Sequence, residues 1–428
     1  MLTGIDIEEL AGGGAEPPEG LEYKQGFIAS HATLRGFFLL DTTTDVQTLF
    51  GAGTLADELE TVQLNGNAKF WGVVYCIAAA EMTAALIDDH IDTLAAAHEI
   101  SLITIFNEDC DAAFVAAVKN GHAAQVNKKI DLEFVTHYRK AYKYDLEAVE
   151  AAQNAGTLTI PLPVGHQVEV DDEILITRDD ASDQLSGRFT VTAKAAESCS
   201  IADTTATFTF LAGAWLKEHP DDYCMRVDDE FELFSSSAIS IVAPYTESNH
   251  VGAYVGRLSK TRVSTSAGKV KDGELINVDV DPDLVYTHHS LLDTARVVFL
   301  KRFPERVTEV HINDDNVMFS GTDTVKTMAT RRTLNKAKRL IRHYGFELIN
   351  DDAFDRDDGG ALAAAAVAAK GLKQMKKPGG SLIPEITDYT ITADWLTGGG
   401  VEFTFSITDK NRIKHVGVKV TIVPPEAV

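Results

Sequence analysis

The stretch Val401–Thr408, with the sequence VEFTFSIT, alternates apolar and polar residues, and this period of two is typical of a strand buried on one face. A polar link, Asp409–Lys414, follows, and Val416–Val423, VGVKVTIV, repeats the alternation. Pro424 and Pro425 then end it, because proline has no backbone N–H to donate to a neighbouring strand. These runs predict a strand pair that either closes a domain within the chain or joins one subunit to the next.

The composition is typical of a globular protein with two or three domains, since 45% of the 428 residues are hydrophobic. The 64 acidic residues against 39 basic ones give a formal net charge of −25. This balance argues against a nucleic-acid partner, because phosphate binding requires a concentrated basic surface. It also means that subunits of an assembly would repel one another, so self-association would need specific contacts.

The cysteines are far apart and form no C-x-x-C pair, which argues against a zinc site or a disulfide framework. We expect buried free thiols at all four positions: Cys76, Cys110, Cys199 and Cys224. The chain begins MLTGIDIEEL, without the basic and apolar regions of a signal peptide, and no apolar run reaches the ~18 residues that span a bilayer. We therefore expect a protein made in the cytoplasm, with no stable membrane insertion.

Changes in composition divide the chain into four parts. Residues 1–20 include AGGGAEPPEG and predict a flexible N-terminal arm, with a frayed terminus as the simpler alternative. Residues 21–155 and 217–290 alternate strand-like and helical segments, which predicts a layered α/β core. Residues 156–216 carry short alternating runs separated by Asp, Ser and Gly, which predicts a small inserted all-β domain. Residues 291–428 predict a C-terminal domain with a basic helix and exposed terminal strands, so the fold class is mixed α/β in a multidomain chain.

Some segments of the core predict particular elements. Phe70–Ala78, FWGVVYCIA, predicts a fully buried strand, and Ile100–Phe106 predicts another. Leu132–Asn154 predicts a helix, because four apolar and aromatic residues recur at helical spacing. These residues are Tyr138, Tyr142, Leu146 and Val149.

A basic helix is predicted from about Asp323 to Tyr344, with Gly345 at the position of a helix C-cap. Its apolar face is expected to bury Met328, Leu334, Leu340 and Ile341. Its basic face is expected to be exposed and consists of Arg331, Arg332, Lys336, Lys338, Arg339 and Arg342. Such a face is either an ordinary solvated surface or a contact for an acidic partner.

A second basic feature lies at the C-terminal end of an alanine-rich helix predicted over Ala361–Met375. Lys370, Lys373 and Lys377 are spaced i, i+3 and i+7 and so share one face of a helix, with Lys376 beside them. A cationic ridge of this kind complements an acidic surface and supplies register and orientation more than affinity.

The sequence lacks the motifs of the common catalytic and cofactor sites. It has no G-x-x-x-x-G-K-[ST], no G-x-G-x-x-G after a strand, no G-x-S-x-G and no H-E-x-x-H. Asp355, Asp357 and Gly359 partly match a calcium loop, but the glycine occupies the position of a third oxygen ligand. His288 and His289 are adjacent, with no third ligand at a suitable spacing. We therefore expect no cofactor, no metal site and no enzymatic activity.

Four stretches together resemble a known family. Ile241–Val270 has a strand followed by a segment that contains Gly-Arg, and Val317–Ile341 has a turn, a threonine and an R-R-T helix. Ile413–Val428 has a closing strand and a proline pair, and Gly26–Gly53 has a strand, a short helix and a glycine turn. In this order they resemble contractile phage tail sheath proteins, which coat the tail tube of contractile phages and of related injection devices.

The resemblance implies a structural subunit. Sheath proteins form hexameric rings that stack around the tail tube, between baseplate and tail terminator proteins, and they contract to drive the tube through the host envelope. The subunit would then be part of the virion tail, assembled in the host cytoplasm. Its partners would be further copies of itself and those tail proteins.

The resemblance also implies roles for particular residues. Sheaths have a basic helix that faces the acidic tube, and this role falls on Lys370, Lys373, Lys376 and Lys377. The second candidate for it is the helix with Arg331, Arg332, Lys336, Arg339 and Arg342. Terminal arms of sheaths add strands to neighbouring subunits, a role that falls on Ile5, Ile7, Val416, Val418, Val420 and Ile422. Many sheaths continue past the proline pair, so either Val416–Val423 is the donated strand or the N-terminal arm makes this contact.

Two other classes of function remain as alternatives. One is another virion or surface-array structural protein, such as a tube, baseplate or surface-layer component. The other is a carbohydrate-active enzyme that uses carboxylates such as Asp228 and Glu230, which would have to face each other across a cleft at ~5–10 Å.

Overall fold

The computed structural model describes residues 24–67, 71–107, 110–128, 130–178, 186–203, 207–303, 306–320, 325–348, 358–376, 384–396 and 401–408. The chain divides into two compact units between positions 336 and 337. We call the described residues 24–336 the N-terminal unit and the described residues 337–408 the C-terminal unit. The four-part division predicted from composition stays a prediction.

The strands of the described residues are numbered in chain order. They are β1 (Lys24–Ser30), β2 (Gly36–Asp41), β3 (Trp71–Ile77), β4 (Leu102–Phe106), β5 (Glu133–His137), β6 (Lys143–Asp145), β7 (Glu150–Asn154), β8 (Thr157–Pro161), β9 (Glu173–Arg178), β10 (Gly187–Ala195), β11 (Ser198–Ala202), β12 (Phe208–Thr209), β13 (Ala214–Glu218), β14 (Ile239–Val242), β15 (Leu300–Phe303), β16 (Arg306–Ile312), β17 (Asp388–Trp395) and β18 (Val401–Thr408).

The α-helices are numbered in the same way. They are α1 (Val46–Phe50), α2 (Thr54–Asn65), α3 (Ile87–Ala97), α4 (Ala112–Asn127), α5 (Pro220–Phe231), α6 (His250–Lys260), α7 (Tyr286–Thr294), α8 (Met328–Gly345) and α9 (Asp358–Lys376). Short 3-10 helices occur at Ala79–Glu81, Val270–Asp272 and Phe346–Leu348. The predicted basic helix is therefore α8, which begins at Met328.

The N-terminal unit is built on a six-stranded sheet with the order β14-β5-β4-β1-β3-β2. Its strands are parallel except for β2, which lies at one edge and runs antiparallel to β3. The strands β3 (WGVVYCI) and β4 (LITIF) are almost continuously apolar, as is typical of parallel strands covered on both faces. The strands predicted at Phe70–Ala78 and Ile100–Phe106 are confirmed.

Helices cover both faces of this sheet. On one face α3, α4 and α5 contribute Leu94, Val118 and Tyr223 to the core. On the other face α2 and α6 contribute Leu59 and Leu258. The unit is thus a layered α/β structure, and the predicted fold class is confirmed.

The helix predicted over Leu132–Asn154 is wrong. Three strands, β5, β6 and β7, occupy this segment instead. Tyr138 is buried in the core of the six-stranded sheet, whereas Tyr142 and Leu146 are buried in a separate core of the eight-stranded sheet described next. The apolar residues at helical spacing therefore belong to two different cores and not to one face of a helix.

The eight-stranded sheet, with the order β12-β7-β8-β11-β10-β9-β13-β6, closes into a small barrel. The segment from β6 to β7 runs antiparallel to the segment from β12 to β13. Within these segments β6 pairs with β13, and β7 pairs with β12. Between the paired parts, the N–H of Leu146 donates to the carbonyl of Ala214 at 2.9 Å and the N–H of Phe210 donates to the carbonyl of Val149 at 2.9 Å. The two ends of the sheet are therefore joined, and buried side chains such as Ile176 fill the interior.

The barrel is inserted into the α/β core between β5 and α5. The chain enters it after Tyr142 and leaves it at Glu218, whose N–H donates to the carbonyl of Tyr142 at 3.0 Å. The next helix, α5, begins at Pro220, a residue favoured at the first helical position because its missing N–H is not needed there.

The helices α2 and α6 approach each other closely at two glycines. A Cβ atom at Gly252 would lie 2.2 Å from the carbonyl oxygen of Glu58, and one at Gly256 would lie 2.6 Å from that of Val62. The Glu58 carboxylate also accepts hydrogen bonds from the N–H groups of Asn249 at 3.0 Å and Gly252 at 2.6 Å. A negative charge at this end of α6 complements the helix dipole.

The C-terminal unit contains the end of α8, α9 and the antiparallel hairpin β17–β18. Alternate residues of both strands, such as Ile391 and Phe405, pack on a helical cluster that includes Leu340 and Leu372. The strand predicted at Val401–Thr408 is confirmed. Within the described structure it pairs with β17. The predicted pairing with residues 416–423 lies outside the described residues and stays a prediction.

Candidate assembly surfaces

The lysines predicted to contact a partner lie near the C-terminal end of α9. All of the residues from 361 to 369 are Ala or Val except Leu362. Alanine has the highest helix propensity, so this sequence favours a helix without support from a large side-chain core. Lys370 and Lys373 are exposed, and Lys376 is half-buried. Lys377 lies outside the described residues.

Two of these lysines already have partners within the C-terminal unit. Lys370 Nζ lies 2.7 Å from Glu347 Oε2, and Lys376 Nζ lies 2.7 Å from Asp388 Oδ1. The hydrogen bond from Lys376 lowers the pKa of the Asp388 carboxyl. Both ion pairs are on the surface, where such pairs contribute little to stability and can exchange partners.

Lys373 differs from its neighbours because it forms no ion pair with any residue that the structure describes. It lines an open groove of about 730 Å³ between the end of α9 and the start of β17. The other lining residues are Gln374, Lys376, Asp388 and Tyr389. Among the described members of the predicted set, Lys373 is thus the one best placed to bind an acidic group from outside.

The basic face predicted for α8 is only partly exposed. Arg331 and Arg332 are 7% and 5% exposed, so the expectation that they lie on the surface is wrong. The Arg331 guanidinium lies 3.3 Å from His122 Nε2, and burial lowers its pKa. The first turn of α8 is held in place by Asp315, whose carboxylate accepts from the N–H of Ala329 at 2.9 Å. This contact turns the two arginines into the interior of the N-terminal unit.

The remaining basic residues of this helix are half-buried: Lys336, Lys338, Arg339 and Arg342. A role for Lys336, Arg339 and Arg342 in contacting a partner therefore stays a prediction. The same is true of the predicted strand arms, because Ile5, Ile7, Val416, Val418, Val420 and Ile422 lie outside the described residues.

The hairpin β17–β18 offers two edges for strand addition. In the described part of the chain each of its strands pairs only with the other. The outer edge of such a strand carries backbone N–H and C=O groups that can bind a further strand. Half-buried Phe403 and Ile407 fix which face of the hairpin packs on the helices. An added strand would have to place its own apolar residues on that same face, so the alternation in its sequence would set its register.

An apolar edge that the sequence did not reveal lies at β2. Phe37 is 41% exposed and Leu39 is 62% exposed, and the Phe37 ring stacks on Tyr75 with centroids 4.7 Å apart. The short apolar run GFFLL is typical of a strand. Its place at the edge of the sheet depends on contacts with residues 71–77, which local sequence does not specify.

The carboxylates of the enzyme alternative both lie on α5. Glu230 accepts a hydrogen bond from the N–H of Ala112 at 2.8 Å and another from the hydroxyl of Tyr138, so it has a structural role at the start of α4. Asp228 lies two residues earlier on the same helix. No group of three or more His, Cys, Asp or Glu residues that could hold a metal is found among the described ranges.

None of the helices in the described structure is both long enough and apolar enough to cross a membrane.

The fold is similar to that of a chain in the anti-feeding prophage (AFP) baseplate, determined by cryo-EM with sixfold symmetry. The two chains are 12% identical, and the alignment covers 94% of this chain and 93% of the other, with a TM-score of 0.50. No curated protein sequence matches this chain. At this level of identity the likeness establishes the fold and leaves the function to be argued.

A family described as DUF2586, N-terminal domain, matches residues 2–307. The match includes the whole six-stranded sheet and the barrel and spans more than two thirds of the 428 residues. This protein therefore belongs to the DUF2586 family.

Proposed function

We propose that this protein is a structural subunit of a contractile tail sheath, which polymerises in rings around an inner tube. The observation that carries the proposal is the likeness of fold along nearly the whole chain to a component of a prophage baseplate with sixfold symmetry. The ordered resemblance to sheath proteins, through Ile241–Val270, Val317–Ile341 and Ile413–Val428, supports the sheath role within such a particle.

Neighbouring subunits are joined by strand addition to the hairpin β17–β18. Two observations support this part of the proposal. In the described structure each strand of the hairpin pairs only with the other, and the sequence alternates at both ends of the chain. Main-chain hydrogen bonds supply affinity in such contacts, while alternate side chains supply specificity. This contact overcomes the mutual repulsion of subunits that each carry a net charge of −25.

The inner tube is contacted by the basic end of α9. Exposed Lys373 supports this role directly, and the surface ion pairs of Lys370 and Lys376 can be exchanged for carboxylates of the tube. The contact would set the register of the sheath on the tube and would weaken with salt, because exposed charges are screened.

A second candidate function is that of a baseplate component. The particle that contains the similar chain favours it, since that particle is a baseplate. A baseplate subunit would form a closed ring of fixed size, whereas a sheath subunit would add ring upon ring.

The length of the assembly distinguishes the two functions. We expect the purified full-length protein to form stacked rings or tubes of variable length under negative-stain electron microscopy. Single closed rings that do not elongate at high concentration would favour the baseplate role. Protein that stays monomeric with both termini intact would contradict both.

Charge reversal tests the contact with the tube. In the triple variant Lys370→Glu, Lys373→Glu, Lys377→Glu we expect self-assembly to persist and co-sedimentation with the tube protein to be lost. The matched control reverses three exposed lysines of the N-terminal unit: Lys119, Lys128 and Lys260. Tube binding that survives in the first variant, or that is lost equally in both, would refute the role of the α9 lysines.

Cross-linking identifies the strand that is exchanged. Thr392 is exposed on β17, and the four native cysteines are buried, so introduced thiols react selectively. A Thr392→Cys variant is mixed with an Ile5→Cys or a Val418→Cys variant before assembly. A disulfide-linked dimer in one mixture identifies the arm, and its absence from both would argue against strand addition at β17.

A further inference from the structure

Two ion pairs join the barrel to the α/β core, one with both partners buried and one with a buried glutamate and a half-buried arginine. In the first, the Lys217 ammonium of β13 lies 3.0 Å from both carboxylate oxygens of Asp281, and the two residues are 5% and 4% exposed. Asp283 is a second partner of Lys217, at 2.5 Å, and Thr246 donates its hydroxyl to Asp281. A lysine of the barrel is thus surrounded by groups of the core.

The second pair lies at the next residue of the same strand. Arg226 of α5 holds the Glu218 carboxylate through two parallel hydrogen bonds, from Nε at 2.9 Å and from a terminal nitrogen at 2.6 Å. Glu218 is 4% exposed. The Arg226 guanidinium also lies over the rings of Tyr138 and Tyr223, at 5.0 and 5.2 Å from their centroids.

Further polar contacts continue this boundary around the barrel. The carboxylate of Asp222 on α5 accepts from the N–H of Glu173 on β9 at 2.5 Å, and Arg188 on β10 donates to Asp221 at 3.2 Å. The hydroxyl of Tyr245 donates to the carbonyl of Glu218 at 2.6 Å. Three strands of the barrel are therefore fixed to the core by polar contacts.

Buried ion pairs of this kind are geometrically demanding. Removing two charges from water is costly, and their attraction offsets this cost only when each charge keeps its partners. Lys217 has both its carboxylates on the core side of the boundary, so any rotation of the barrel would leave buried charges without partners. Apolar contacts, by contrast, are not directional and tolerate sliding.

We propose that the pairs Lys217–Asp281 and Glu218–Arg226 lock the barrel in a single orientation, so that barrel and core move as one rigid body. The barrel is then a fixed projection, and a force applied to its outer strands is transmitted to the six-stranded sheet. This inference does not depend on the proposed sheath function, because it concerns contacts within the N-terminal unit alone.

Distances between spin labels test the lock. Ala97, at the end of α3, and Ala196, between β10 and β11, are exposed and can be replaced by labelled cysteines, since the native cysteines are buried. We expect double electron–electron resonance to give one narrow distance distribution in the full-length protein. A broad or multiple distribution in this parent protein would overturn the proposal.

Two double variants then remove the pairs without leaving a lone buried charge. These are Lys217→Met with Asp281→Leu, and Glu218→Met with Arg226→Met. We expect at least a twofold broadening of the distance distribution in each, with circular dichroism showing a folded core. The matched control replaces an exposed pair of the core, Arg302 and Asp279, by Met and Leu, and should stay narrow. Narrow distributions in both double variants, or loss of the folded core in both, would overturn the lock, because packing or folding would then account for the contacts.

Discussion

The backbone N–H of Gly252 donates to the carboxylate of Glu58 at 2.6 Å, at the point where α6 passes closest to α2. The same glycine leaves the space that the carbonyl of Glu58 occupies, because a Cβ atom there would lie 2.2 Å from that oxygen. This one pair of residues therefore sets both the hydrogen bonding at the start of α6 and the distance between two helices of the core.

The variant Gly252→Ala should destabilise the N-terminal unit by about 3 kcal/mol, because overpacking against a backbone atom can be relieved only by moving a helix. Urea unfolding followed by circular dichroism measures this loss. Gly121→Ala on α4 is the matched control, since a Cβ there would meet the flexible end of the Ile91 side chain first. An equal loss of stability in both variants would mean that the close approach of the Glu58 carbonyl to Gly252 is not the cause.

Acid should destabilise the N-terminal unit through His250. Its imidazole is 3% exposed, Nε2 lies 2.8 Å from the carbonyl of Asp279, and burial lowers the pKa to about 4. In the unfolded chain the pKa of histidine is about 6.5. The unfolded state therefore binds more protons between these values, and stability should fall as the pH drops from about 6.5 to 4, by about 3 kcal/mol from this residue.

The measurement is the free energy of unfolding across this pH range in the parent protein and in His250→Gln. Only the parent should show the contribution of His250, so the difference between the two curves should grow as the pH falls. Parallel curves would show that His250 does not titrate as its burial implies.

The four cysteine thiols should be unreactive in the folded protein. Burial raises the pKa of Cys110, Cys199 and Cys224 to about 12 and that of Cys76 to about 11, so the reactive thiolate is scarce at neutral pH. With Ellman's reagent at pH 8 we expect almost no reaction in buffer and four thiols in guanidinium chloride. Rapid reaction of any thiol under native conditions would reveal local opening around it.

The C-terminal unit should be sensitive to Gly371→Ala on α9. A Cβ atom at this position would lie 2.6 Å from the Cβ of Leu340 and 3.1 Å from its carbonyl carbon, so α8 and α9 would have to separate. We expect a loss of about 2 kcal/mol in the stability of this unit. The control is Leu362→Ala, whose side chain is 74% exposed on the same helix. Hydrogen exchange of α9 and the hairpin measures the effect, and equal exchange in the two variants would contradict it.

Elements with strong local patterns could be predicted from the sequence. The strands β3 and β4 are short, almost entirely apolar runs, and α9 is rich in alanine from Ala361 to Ala369, so local propensity and burial agree. The segment Leu132–Asn154 shows the opposite case. Tyr138 and Leu146 have helical spacing, but they enter two separate cores, and spacing alone does not distinguish one core from two.

Burial of charged residues was harder to predict than secondary structure. Arg331 and Arg332 lie on a helix whose sequence suggests an exposed basic face, yet contacts with Asp315 and His122, distant in sequence, determine their burial. The pairing of β18 with β17 could not be predicted for a similar reason. The sequence of 388–395 alternates, but periodicity alone does not say which strand a neighbour will pair with, and the pair forms where both strands pack on α8 and α9.

The hydrogen bond between Glu218 N–H and the Tyr142 carbonyl, at 3.0 Å, has an evolutionary consequence. The two places where the chain crosses between core and barrel are direct neighbours, so a connection of a few residues would close the core without the barrel and keep the order of its strands. A gene could thus acquire or lose the barrel in one recombination event. Relatives that lack the barrel would also lose Lys217 and Glu218, and with them the need for charged residues at 226 and 281.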